Sequence, residues 1–120
     1  MSVTFAQGFS AAGVTAGISS VEGKKDLALV VNNGPLDAAA GVFTSNRFCA
    51  APVQWSRSVV KDGHLKAVIL NSGGANACTG KPGYEQSKAT AEKVAGLLGA
   101  KAEDVAVCST GLIGELLPLD

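Results

Sequence analysis

The sequence has no surplus of charge, since ten basic side chains face ten acidic ones. Without one there is no electrostatic grip on nucleic acid or on an anionic membrane surface, and neither is expected as a partner. Long apolar runs are also missing: none approaches the roughly 18 residues that a membrane span requires. Met1-Ser2-Val3-Thr4 lacks the basic and apolar regions of a secretory signal, so a cytoplasmic protein is expected. The three cysteines, Cys49, Cys78 and Cys108, form no Cys-x-x-Cys or Cys-x-x-His pair, which leaves no basis for a metal site. They are expected to be reduced, small and mostly buried. The single histidine, His64, falls in the polar turn Lys61-Asp62-Gly63-His64, a poor position for a general base. What is present is 120 residues, 47% of them hydrophobic, enough for one domain (residues 1–120) with a real core.

Taken from its beginning, the chain opens with Phe5 to Gly17, whose glycines argue for an irregular or extended lead-in rather than a helix. Glu22-Gly23-Lys24-Lys25-Asp26 reads as a solvated turn. Leu27-Ala28-Leu29-Val30-Val31, closed by Asn32-Asn33-Gly34-Pro35, reads as a strand buried on both faces followed by a tight turn. A second strand is expected at Ala39-Ala40-Gly41-Val42-Phe43-Thr44, antiparallel to the first because the connection is short. In the polar break that follows, Arg47 is either a carboxylate or phosphate ligand or an exposed loop residue with no specific role. Ala51-Pro52-Val53-Gln54-Trp55 alternates with period two, as a half-buried strand does, and Ser56 is placed to cap a short helix through Val60.

Leu65 to Leu70 reads as a buried strand running into the small-residue loop Asn71 to Gly80, and a helix then begins near Gly83. Its stripe is Tyr84, Ala91, Val94, Ala95 and Leu98, with Lys88 and Glu92 spaced to pair and Gly99 to stop it. Strand, loop and helix invite a phosphate site. The spacing excludes it: five residues separate Gly74 from Gly80-Lys81 where a Walker loop has four, and Pro82 takes the hydroxyl position. The loop therefore serves either close backbone approach to a substrate or tight internal packing, with Asn71 and Asn76 bonding the backbone.

The chemistry is placed at Cys108-Ser109-Thr110-Gly111-Leu112-Ile113-Gly114, where the short strand Val105-Ala106-Val107 ends in hydroxyls and glycines. The Gly111 N–H beside the Thr110 hydroxyl would make a two-donor pocket for an oxygen gaining negative charge, as acyl transfer requires. The alternative is a turn, with Ser109 or Thr110 capping a short helix.

Together these motifs resemble the ornithine acetyltransferase (glutamate N-acetyltransferase) family of arginine biosynthesis. The matching residues are Gly41-Val42-Phe43-Thr44-Ser45-Asn46-Arg47, Ala50-Ala51-Pro52-Val53, Asn71-Ser72-Gly73-Gly74-Ala75-Asn76-Ala77-Cys78-Thr79-Gly80 and Ser109-Thr110-Gly111-Leu112-Ile113-Gly114. They cover nearly the whole chain in order; Gly74 stands where many relatives carry Asn. The resemblance implies a layered α/β sandwich of mixed sheets and helices, similar to the N-terminal nucleophile architecture and incomplete in this chain. It also implies a precursor that cleaves itself to expose an N-terminal threonine, which carries the acetyl group from N-acetylornithine to glutamate.

On that resemblance Thr110 and Gly111 are the oxyanion hole. The nucleophile lies beyond Asp120, Leu116 to Asp120 begin a further helix, and the chain is the front of an α segment that pairs with a β segment in a heterotetramer of two α and two β chains. No cofactor is implied, although bifunctional relatives use acetyl-coenzyme A as an alternative donor. The competing readings are a self-processing aminopeptidase of the same architecture and a non-catalytic assembly module.

Overall fold

The computed structural model describes residues 2–119. Strands β1 (Phe9–Val14), β2 (Leu27–Asn32), β3 (Ala67–Gly74) and β4 (Val105–Leu112) form one four-stranded sheet in that order. The pairs β1–β2 and β2–β3 are antiparallel, whereas β3–β4 is parallel. A parallel pair needs a crossover, which α2 (Gly80–Leu98) supplies between β3 and β4. The shorter α1 (Ala51–Val59) precedes β3. The result is the expected mixed α/β layer.

Register decides which face is buried. Leu29 and Val31 of β2 lie opposite Ile69 and Ala67 of β3, which lie opposite Val107 and Val105 of β4. These side chains pack with Trp55 and Val59 of α1 and with Ala91, Val94 and Ala95 of α2. On the other face Ala28, Val30, Val68 and Leu70 are only half-buried, and in β2 the core-facing Leu27, Leu29 and Val31 are half-buried too, so the strand read as buried on both faces is fully buried on neither. In α2 the expected stripe, the Lys88–Glu92 pair at 3.7 Å and the Gly99 stop at φ +65° are all present. The Tyr84 ring meets Trp55 edge-on at 6.1 Å. The helix starts at Gly80, three residues before the expected position, so that Gly83 already lies within it, packed against Asn76 and Thr79.

Several expectations are corrected. Residues 51–55 are helical, with Pro52 in the first turn, where its missing N–H costs nothing. Ser56 is inside α1 and caps nothing. Residues 39–44 form no strand, since β2 already has β1 and β3 on its two edges; the nearest pairing is an isolated bridge just before the segment, Ala38 to His64. The lead-in is extended, one of the two forms expected of it, and forms the edge strand β1 over Phe9–Val14. Residues 116–119 are not helical: Gln86 takes both backbone groups of Leu117, at 2.8 and 2.9 Å, and straps the tail to α2. Asp120 lies outside the described residues. The cysteines are free but not buried, Cys49 being half-exposed and Cys78 and Cys108 exposed.

Candidate functional site

The segment carrying Thr110 is strand rather than turn. β4 continues past Val107 to Leu112, with Ser72 opposite Thr110 and Gly73 opposite Gly111. The two glycines allow it: Gly73 has φ +120° and Gly111 φ +135°, a region that side chains avoid. A Cβ on Gly111 would collide with the Gly73 carbonyl group and lie 2.7 Å from the Gly74 nitrogen. Neither Ser109 nor Thr110 therefore caps a helix.

β4 is an edge strand, and α1 covers part of that edge with side chains. The Trp55 indole N–H donates to the Val105 carbonyl at 2.9 Å. The Ser56 hydroxyl donates to the Val107 carbonyl at 2.7 Å and accepts the Val107 N–H at 2.9 Å. On the β3 side, Asp104 O accepts from Lys66 N–H and Leu112 O from Ala75 N–H. Even-numbered backbone groups thus face β3 and odd-numbered ones face outward, as strand alternation requires. The alternation directs the Gly111 N–H to the outer edge, beyond the last side chain with which α1 bonds it. The Thr110 hydroxyl has no hydrogen-bond partner among the described residues, and both residues are exposed.

Thr110 and Gly111 line an open depression of about 670 Å³. Its opposite wall is the turn Gly17-Ile18-Ser19, and Lys24 and Glu115 stand at its margin. The turn is held by a residue that the sequence reading placed in solvent. Asp26 is 3% exposed, its carboxylate accepting the Ala16 and Ser19 N–H groups at 2.7 Å each. The amide of Ser19, then that of Ala16, holds this carboxyl below its ordinary value, against the opposing effect of burial. No local signal marks Asp26, since its partners lie seven and ten residues earlier in the chain.

The remaining candidates do not join this site. Arg47 is an exposed loop residue and does not line the depression. His64 stays on its polar turn, its backbone N–H donating to Asp62 at 3.0 Å. The Asn71–Gly80 loop resolves into the end of β3 and a tightly packed turn. Asn71 bonds the Gly74 carbonyl at 3.0 Å. Asn76, fully buried, bonds the Gly83 carbonyl at 2.8 Å and Ser87 at 3.1 Å, and its own carbonyl accepts the Ala51 N–H at the start of α1. Among the described residues no cluster of His, Cys, Asp or Glu is fit to hold a metal, and no helix is long and apolar enough to cross a membrane.

The chain is 89% identical over all 120 residues to the arginine biosynthesis bifunctional protein ArgJ of Bifidobacterium longum, and 66% identical to that of Streptomyces coelicolor. It spans 31% of the length of each. Among solved structures, ornithine acetyltransferase of Mycobacterium tuberculosis complexed with ornithine superposes with a TM-score of 0.92 at 59% identity, covering 95% of this chain and 61% of that one. The argJ bifunctional protein of Bacillus halodurans gives 0.92 at 41% identity, over 100% of this chain and 62% of that one. The family model described as the ArgJ family matches residues 10–120, and the chain therefore belongs to the ArgJ family.

Proposed function

We propose that this chain is the front part of a cytoplasmic acetyltransferase that moves the acetyl group of N2-acetylornithine to glutamate, and that Thr110 and Gly111 are its oxyanion hole. The observation that carries the reading is the outward Gly111 amide beside an unpartnered Thr110 hydroxyl, over an open depression. The names of the relatives support the substrate class, one being an ornithine acetyltransferase complexed with ornithine.

The nucleophile belongs to the remaining segment: a threonine hydroxyl, with its free α-amine as base, attacks the acetyl carbonyl. As that carbonyl oxygen gains charge, the Gly111 N–H and Thr110 O–H donate to it, each donor supplying about 3 kcal/mol of transition-state stabilisation. Collapse expels the ornithine amine, which takes up a proton, and leaves an acetyl-threonine ester. The glutamate amine then attacks the ester, the same two donors hold the second oxyanion, and the threonine hydroxyl leaves. The same pair assists the self-cleavage that frees the threonine, and the cleaved segments assemble as two α and two β chains. Acetyl-coenzyme A is proposed as an alternative donor to glutamate, as the family resemblance implies.

Joining these 120 residues to the remainder of the Bifidobacterium longum relative tests the reading. Cleavage to a new N-terminal threonine, with N-acetylglutamate formed from N-acetylornithine and glutamate, is expected. Amide hydrolysis without any need for glutamate would replace the reading with a self-processing aminopeptidase, and neither reaction would leave an assembly module.

A further inference from the structure

We infer that Asp26 is a positioning residue for this site, fixing Thr110 and Gly111 through the turn at residues 16–19 and through Gly73. The inference rests on the oxyanion reading of Thr110 and Gly111 and adds a residue to it.

Asp26 joins three pieces of backbone. Its N–H donates to the Val14 carbonyl at 3.1 Å, at the end of β1, and its carbonyl accepts the Ser72 N–H at 2.8 Å, beside Gly73 on β3. Its carboxylate takes the Ala16 and Ser19 amides, which bends residues 16–19 into a turn. That turn lies directly on Gly73: a Cβ there would come within 2.6 Å of the Ile18 carbonyl oxygen and 2.8 Å of the Ser19 nitrogen. Gly73 in turn is pressed against Gly111, its register partner on β4. The order is carboxylate, turn, Gly73, Gly111, with no side chain between the last three layers of backbone. The turn is also the wall that faces Thr110 and Gly111 across the depression.

The carboxylate has no cation: the ion pairs among the described residues are Lys66–Asp37 and Lys88–Glu92. Buried charge without a counter-ion is costly unless hydrogen bonds satisfy it, and two short amide bonds do so here. A neutral hydrophilic residue in a solvated turn would need none of this. The device suits a site where displacement of a donor by about 1 Å costs on the order of 100-fold in rate.

The test uses the joined full-length enzyme described above, with Asp26→Asn, Thr110→Ala and the double variant. Asparagine keeps one acceptor and turns an N–H₂ toward the other amide. Expected for Asp26→Asn is a kcat reduced about 10- to 100-fold with KM for both substrates within about twofold, and almost no further loss when Asp26→Asn is added to Thr110→Ala. A kcat within about twofold of the parent, or a loss fully multiplicative with that of Thr110→Ala, overturns the positioning role while leaving the oxyanion reading in place. Parent-like activity of Thr110→Ala overturns the oxyanion reading itself, and the inference with it. If Asp26→Asn does not fold, Ser19→Pro, which removes one amide and keeps the carboxylate, is judged by the same criteria.

Discussion

Replacing Ser56 by alanine removes a single oxygen, yet the structure assigns it a large effect. Ser56 is 6% exposed and Val107 3%, and the Ser56 hydroxyl is the partner of both the N–H and the carbonyl of Val107. Alanine leaves two buried backbone groups unsatisfied, at about 1–3 kcal/mol each, so a loss of about 2–6 kcal/mol is expected. Against a typical total stability of about 5–15 kcal/mol, that is a substantial fraction. Urea unfolding followed by the fluorescence of Trp55 measures it, because this lone tryptophan bonds the same edge of β4 at Val105. The midpoint should fall with the slope unchanged. Ser58→Ala is the control: that hydroxyl bonds the Trp55 carbonyl within its own helix and sits at an exposed position, and its loss should cost less than about 1 kcal/mol. Equal stability of Ser56→Ala and the parent, within about 0.5 kcal/mol, would refute the view that α1 completes the hydrogen bonding of β4.

Further predictions concern the glycine crossing and Asp26. Gly73→Ala and Gly111→Ala each combine positive-φ strain with backbone overlap, and each should destabilise the chain by about 2–5 kcal/mol in the same urea titration; Gly96→Ala, at a helical position with open space, should be neutral or stabilising. Because the amides hold the folded Asp26 carboxyl below its unfolded value, its stabilising effect is fully present above the unfolded value and is lost as pH falls through the folded one. The stability gap between the parent and Asp26→Asn should accordingly be constant near neutrality and close below about pH 4; a gap that widens on acidification would contradict the direction of the shift.

What local pattern could reveal was α2, β2 and the Asp62-Gly63 turn, each with a period or a breaker inside a short window. α1 was misread because its buried stripe, Ala51, Pro52, Trp55, Ser56 and Val59, contains one large apolar residue among small and polar ones. Ser56 is buried for its hydrogen bonds, which hydrophobic period cannot register. The segment 39–44 has the composition of a strand but no free edge of β2 to pair with, a fact that only the whole sheet contains. At the candidate site, the exit of an apolar strand into the hydroxyls and glycines of Ser109 to Gly111 was visible in the sequence, whereas the continuation of β4 depended on Gly73 and Gly111 meeting in register. Asp26 was illegible because a carboxylate beside two lysines looks solvated until the turn it holds has folded over it.

The most direct measurement is the turnover of Thr110→Ala in the joined full-length enzyme, relative to the parent, under saturating N-acetylornithine and glutamate. Loss of one oxyanion donor predicts kcat lower by about 100- to 1,000-fold, with the fold intact. A kcat within about threefold of the parent, equivalent to less than about 1 kcal/mol, would contradict the assignment of the oxyanion hole to this edge of β4.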